Sequence, residues 1–148
     1  MDQSAKALQA LELFVGSWET KGIMQAIATD EQVSFTAAES YNWEAGGQIL
    51  LHRFNADMPY GKVQGLEIIG YDVSNLCYFI RSYDNSGVEI LMGALNDGST
   101  WYFKGDNLRF KGTFSDDAKI FQGEWDVIDL ENGEWRQLMI VELCKHHK

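Results

Sequence analysis

Glu39 is the polar residue with the most to explain. Val33, Phe35, Ala37, Glu39, Tyr41 and Trp43 alternate with Gln32, Ser34, Thr36, Ser40 and Asn42, so a strand period of two sets a carboxylate in an apolar row. An unpaired buried charge costs several kcal/mol, so such a group is paired, protonated or beside a wet mouth. It can anchor a ligand or act as an acid/base of raised pKa. An internal salt bridge, or a bulge that turns it outward, accounts for it without function. His52 is the one histidine outside the C-terminal segment, and imidazole titrates near neutrality. If Leu50 and Phe54 point inward, so does His52. It is then a ligand contact or a hydrogen-bonded wall residue. Arg81, among Phe79, Ile80 and Tyr83, is a partner for Glu39, a contact for an anionic ligand, or a surface residue. Tyr41, Trp43, Tyr78, Trp101 and Trp125 can line a small-molecule pocket, and they serve equally as core. Phosphate loops, nucleophile elbows, Cys/His pairs and zinc spacings are missing. One histidine with scattered acids is not a metal site. Cys77 and Cys144 fit no redox or metal spacing and read as buried thiols.

Positioning these groups falls to a helix and a run of strands. Residues 4–15 read as a short helix capped by Ser4, with Leu8, Leu11 and Val15 at intervals of three and four, ended by Gly16. Beyond it the period becomes two. Nine turn signals, beginning near Thr29–Glu31 and ending at Glu131-Asn132-Gly133, divide residues 17–143 into ten strands. Short connections imply antiparallel neighbours, and so long a meander curls and closes, which removes its edges. The predicted fold is therefore all-β: a ten-stranded up-and-down antiparallel barrel in a single domain, with the helix closing one end and residues 144–148 as a tail. Strand number alone favours an internal cavity over a solid core. Residues 76–83, residues 88–95 and the last strand are apolar on both faces. Cover by the helix or a loop explains this, as does an outward patch used for homodimerisation.

Composition limits the partners. The 148 residues suit one domain, and the apolar fraction of 45% excludes disorder. A formal net charge of −10 disfavours phosphate backbones and anionic membranes. The N-terminal stretch does not have the pattern of a signal peptide, and no run is long enough for an apolar membrane helix. A cytoplasmic location is the expectation.

The order of motifs carries a resemblance. Leu11-Glu12-Leu13-Phe14-Val15-Gly16-Ser17-Trp18 is followed by Trp43-Glu44-Ala45-Gly46-Gly47-Gln48-Ile49-Leu50, then Gly65–Asp72 and Tyr83–Gly87. A short helix followed by Gly-x-Trp and a meander resembles the lipocalin-like (calycin) barrels, and the wider order resembles domain-of-unknown-function family 1579. The resemblance implies that Gly16 and Trp18 close the barrel base, with a basic residue of the last strand, Arg136, across the indole ring. More distantly the chain is similar to nitrobindin-type haem barrels. Those place a proximal histidine late in the chain, whereas this sequence has Ile140-Val141-Glu142-Leu143-Cys144 there, so haem is disfavoured and no cofactor is expected. The function expected is binding of a small apolar or amphipathic ligand in the barrel. The alternatives are acid/base catalysis by Glu39 and His52, or a dimerising module without a ligand.

Overall fold

The computed structural model describes residues 2–25 and 31–146. Helix α1 (Gln3–Ala10) runs into a 3₁₀ turn, Leu11–Phe14. Ten strands follow: β1 (Gly16–Gln25), β2 (Gln32–Glu44), β3 (Ile49–Met58), β4 (Gly61–Asp72), β5 (Cys77–Asp84), β6 (Glu89–Asp97), β7 (Thr100–Lys104), β8 (Leu108–Phe114), β9 (Ile120–Ile128) and β10 (Trp135–Lys145). Each pairs antiparallel with its sequence neighbour, and β1 pairs with β10, so the sheet closes into the expected barrel. The first expected turn, near Thr29–Glu31, falls largely outside the described residues.

Alternation sets the interior. Trp18, Thr20, Phe35, Ala37, Tyr41, Leu50, His52, Ile69, Tyr78, Ile80, Trp101, Phe110 and Phe121 are buried, while their strand neighbours face outward. Phe14 plugs the helical end, its ring 4.9–5.2 Å from those of Tyr41, Trp101, Phe114 and Phe121. An eight-residue helix is marginal alone, and α1 buries no residue completely. Side chains of the barrel hold the segment instead. Trp18 Nε1 donates to Phe14 O (2.8 Å), the Tyr78 hydroxyl to Ala7 O (2.7 Å), and Trp43 Nε1 to Glu12 (2.6 Å). The cap is Asp2, which accepts from the Ala5 amide, rather than Ser4; Ser4 lies within the first turn. Gly16 then opens β1 at φ +131°, a conformation that side chains with a Cβ rarely adopt.

The last strand departs from expectation in two ways. A bulge between Gln137 and Met139 inserts one residue, so faces exchange across it. Arg136 consequently sits opposite Val127 at the end remote from the helix, while Trp135 lies beneath the Arg109 guanidinium at 4.3 Å. Arg136 therefore does not cross Trp18. Trp18 pairs in register with Lys145, whose ammonium lies 4.8 Å from the indole centroid and donates to Leu13 O at 3.0 Å. The strand also runs past residue 143: Lys145 N bonds Lys119 O, and His146 N bonds Ser17 O, so residues 144–146 are not a frayed tail. Residues 147 and 148 lie outside the described residues. Cys144 is exposed and Cys77 half-buried, so neither is the buried thiol expected; both are free.

Glycines let large rings lie flat on the wall. A Cβ at Gly123 would stand 2.2 Å from the Phe110 ring and 2.9 Å from Lys111 O. Gly123→Ala is expected to cost about 1–3 kcal/mol through overpacking, read as a lower urea midpoint with an unchanged slope. A cost below a few tenths of a kcal/mol would mean that Phe110 does not pack against this wall. Outside, Leu91, Leu95 and Ile140 are exposed, so the helix does not cover the second apolar face of β6 or β10.

Candidate functional site

Register and alternation bring the polar residues together. His52 on β3 stands opposite Tyr41 on β2 and Glu67 on β4, and Glu39 is two residues along β2 from Tyr41. All point inward. The His52 ring is clamped on both sides: Nε2 is 2.7 Å from Glu39 Oε1, and Nδ1 is 2.7 Å from Glu67 Oε1. The Thr20 hydroxyl, from β1, donates to the other oxygen of Glu39. The Tyr41 ring stacks on the imidazole, with centroids 4.0 Å apart and planes within 3°.

The electrostatics follow from this clamp. Burial alone would push His52 down, but hydrogen bonds to Glu39 and Glu67, together with their charges, outweigh it and raise the pKa to about 9. Burial likewise favours the neutral form of Glu39, and is outweighed by the hydrogen bond and charge of His52 and by the Thr20 hydroxyl, so Glu39 is held below its usual range. Burial, then the charges of Glu39 and Glu67, raise Tyr41 well above 10, so its phenol stays neutral. The buried carboxylate on β2 is thus an ionised partner of an imidazolium, one of the alternatives the alternation left open.

These groups border a cavity of about 260 Å³. Ala37, Phe54, Ala56, Phe103, Phe110 and Trp125 supply much of its apolar wall. Tyr60, in the β3–β4 turn at the end away from the helix, lines it and is 73% exposed, so the cavity reaches the surface there. A volume of about 260 Å³ is the scale of a small aromatic or branched aliphatic molecule.

Of the residues singled out from sequence, Glu39, Tyr41, His52 and Trp125 line this cavity. Tyr78 and Trp101 lie deeper, beside a separate void of about 10 Å³ that Glu67 also borders. Trp101 Nε1 is the one fully buried side-chain nitrogen or oxygen without a partner among the described residues. Trp43 is spent on the helix segment through Glu12. Arg81 is exposed, beside Leu91 and Ile68 on the outer surface, and is neither a partner of Glu39 nor a cavity residue. Sequence reasoning missed Glu67 and Thr20. Glu67 shares parity with Val63 and Ile69, but outward Leu66 and Ile68 mask the alternation; Thr20 shares parity with Trp18. Among the described residues no group of His, Cys, Asp and Glu is arranged to hold a metal, and no helix is long and apolar enough to cross a membrane.

Comparison with known proteins agrees with the architecture. Among solved structures, the crystal structure of Rv2717c from M. tuberculosis is similar with a TM-score of 0.67, at 13% identity over 95% of this chain and 98% of that one. At that identity the likeness speaks for the fold. A search of curated proteins returned no match. Residues 3–143 match the family model described as "Protein of unknown function (DUF1579)". With nearly the whole barrel matched, from helix to last strand, the chain belongs to the DUF1579 family.

Proposed function

We propose that the protein binds a small, largely apolar molecule inside the barrel, with the Glu39–His52–Glu67 cluster receiving its polar end. The observation that carries this reading is a cavity of about 260 Å³ whose wall is apolar except for one ordered polar cluster. That combination is the usual composition of a small-molecule site. Acid/base catalysis is the second reading, favoured by the meeting of Glu39 and His52 at 2.7 Å in one cavity. It is weaker because both imidazole nitrogens are engaged, so His52 offers no lone pair to a substrate.

The test is occupancy of the cavity. Titration with 1-naphthalenemethanol should give saturable one-to-one binding with a change in the emission of Trp125, which lines the wall. Ala37→Leu, which fills part of the same space, should weaken it at least tenfold. Absence of binding by this alcohol and by its amine analogue 1-naphthylmethylamine, or equal binding by Ala37→Leu, would refute the proposal.

A further inference from the structure

The charge of the polar cluster can be counted without assigning its tautomers. Each ring nitrogen of His52 meets a carboxylate oxygen at 2.7 Å, and each contact holds one proton. An imidazole and two carboxylates sharing two protons carry a net charge of −1, wherever the protons reside. Thr20 supplies only a neutral donor, to Glu39. The described residues lining the cavity include no lysine or arginine, so nothing there offsets the charge. Arg136 shares the face of Val127 towards the open end, but it does not line the cavity.

One acceptor also remains. Glu67 Oε1 takes the His52 bond, and Oε2 has no hydrogen-bond partner among the described residues. It is not among the fully buried unpartnered atoms, and Glu67 lines the cavity. A carboxylate oxygen therefore has free acceptor capacity at the inner wall. Phe103, Phe110 and Trp125 line the same cavity, and aromatic rings of this kind attract cations.

We infer that the cavity selects a cationic ligand, a protonated amine on a compact apolar or aromatic body, donating to Glu67, and that it discriminates against carboxylates. This rests on the reading of the cavity as a binding site and names the chemistry of its occupant. A charged donor on a charged acceptor makes the stronger class of hydrogen bond, whereas an incoming carboxylate would meet a wall that is already negative and has no cation to receive it.

The experiment compares three probes of one shape at pH 7 by calorimetry: 1-naphthylmethylamine, 1-naphthalenemethanol and 1-naphthoate. The amine should bind about tenfold or more tightly than the alcohol, with the naphthoate weakest. If the alcohol binds and all three agree within threefold, the inference fails while the binding function stands. Tightest binding of the naphthoate also overturns it and would point to Arg136 near the mouth. If none binds, the binding function falls and the inference with it. Glu67→Gln then localises the effect: the ratio of amine to alcohol affinity should drop towards one, and an unchanged ratio refutes the role of Glu67. Should that variant not fold, the His52 ring signals of the native protein serve instead. Adding the amine should move them, and signals that stay put under saturating amine refute the placement.

Discussion

Trp18→Ala is expected to lower the unfolding free energy by about 3–5 kcal/mol, the cost of removing a large aromatic side chain from a packed core. The side chain is 1% exposed. Its loss would open a void beside Phe114, release the Phe14 carbonyl from its indole donor and strip the face beneath Lys145. Three attachments at the helical end thus converge on one ring. Trp18→Phe keeps much of the volume but forfeits the N–H, so it should cost less than the alanine variant and more than a typical surface change. Urea unfolding of the three proteins measures this; a loss below about 1 kcal/mol for Trp18→Ala would mean that this end of the barrel does not depend on Trp18.

The second large effect is a dependence on pH. The folded-state pKa of His52 is raised from 6.5 to about 9. A raised pKa means that the folded protein holds its proton more tightly than the unfolded chain does. The resulting stabilisation is complete below about pH 6.5 and fades as pH climbs through 9. At 1.36 kcal/mol per unit, the loss over that window is roughly 3 kcal/mol. Glu39 works in the opposite sense: its lowered pKa contributes stability above the usual carboxylate range, and that stability is lost as acid protonates it. Stability should therefore peak between about pH 5 and 6.5 and decline on both sides. The groups facing the imidazole are Glu39, Glu67 and Tyr41, and the Tyr41 phenol, held well above 10 by burial and the neighbouring carboxylates, stays neutral across the alkaline window. His52→Leu removes the shared proton site and leaves two buried carboxylates without their imidazolium, which should cost about 3–5 kcal/mol at neutral pH and remove the part of the fall between pH 6.5 and 9 that the imidazolium contributes. Urea midpoints for the native and variant proteins across pH 5–9.5 provide the check. Parallel curves would show that His52 is not charged in the folded state.

The barrel was legible because its signal is repetitive. Alternation in β2, β8 and β9, with turn residues between strands, reports a half-buried sheet one strand at a time, and closure follows from the number of strands. Glu39 was legible for the same reason, as a violation of the pattern in which it sits. His52 followed from its neighbours Leu50 and Phe54.

What stayed hidden depended on neighbours across strands. Glu67 sits in Gly65-Leu66-Glu67-Ile68-Ile69, where apolar residues on both faces erase the alternation that would have marked it. Only its register with His52 reveals it. Arg81 was ambiguous for the same reason and proved to face outward. Arg136 was displaced by a one-residue bulge, which leaves almost no trace in composition but exchanges the faces of the residues before it. Lys145 then supplies the cation over Trp18, because pairing with β1 continues through Cys144 and Lys145 and carries β10 to that end of the barrel.

Both the pH dependence and the proposed ligand selectivity rest on one state, a charged histidine clamped between two carboxylates at the cavity wall. Histidine-selective ¹⁵N NMR addresses it most directly. At pH 7.5 both His52 nitrogens should be protonated and remain so until about pH 9, and saturating 1-naphthylmethylamine should move both signals. A neutral His52 that titrates near pH 6.5, with signals indifferent to the amine, would mean that no imidazolium is clamped at this wall.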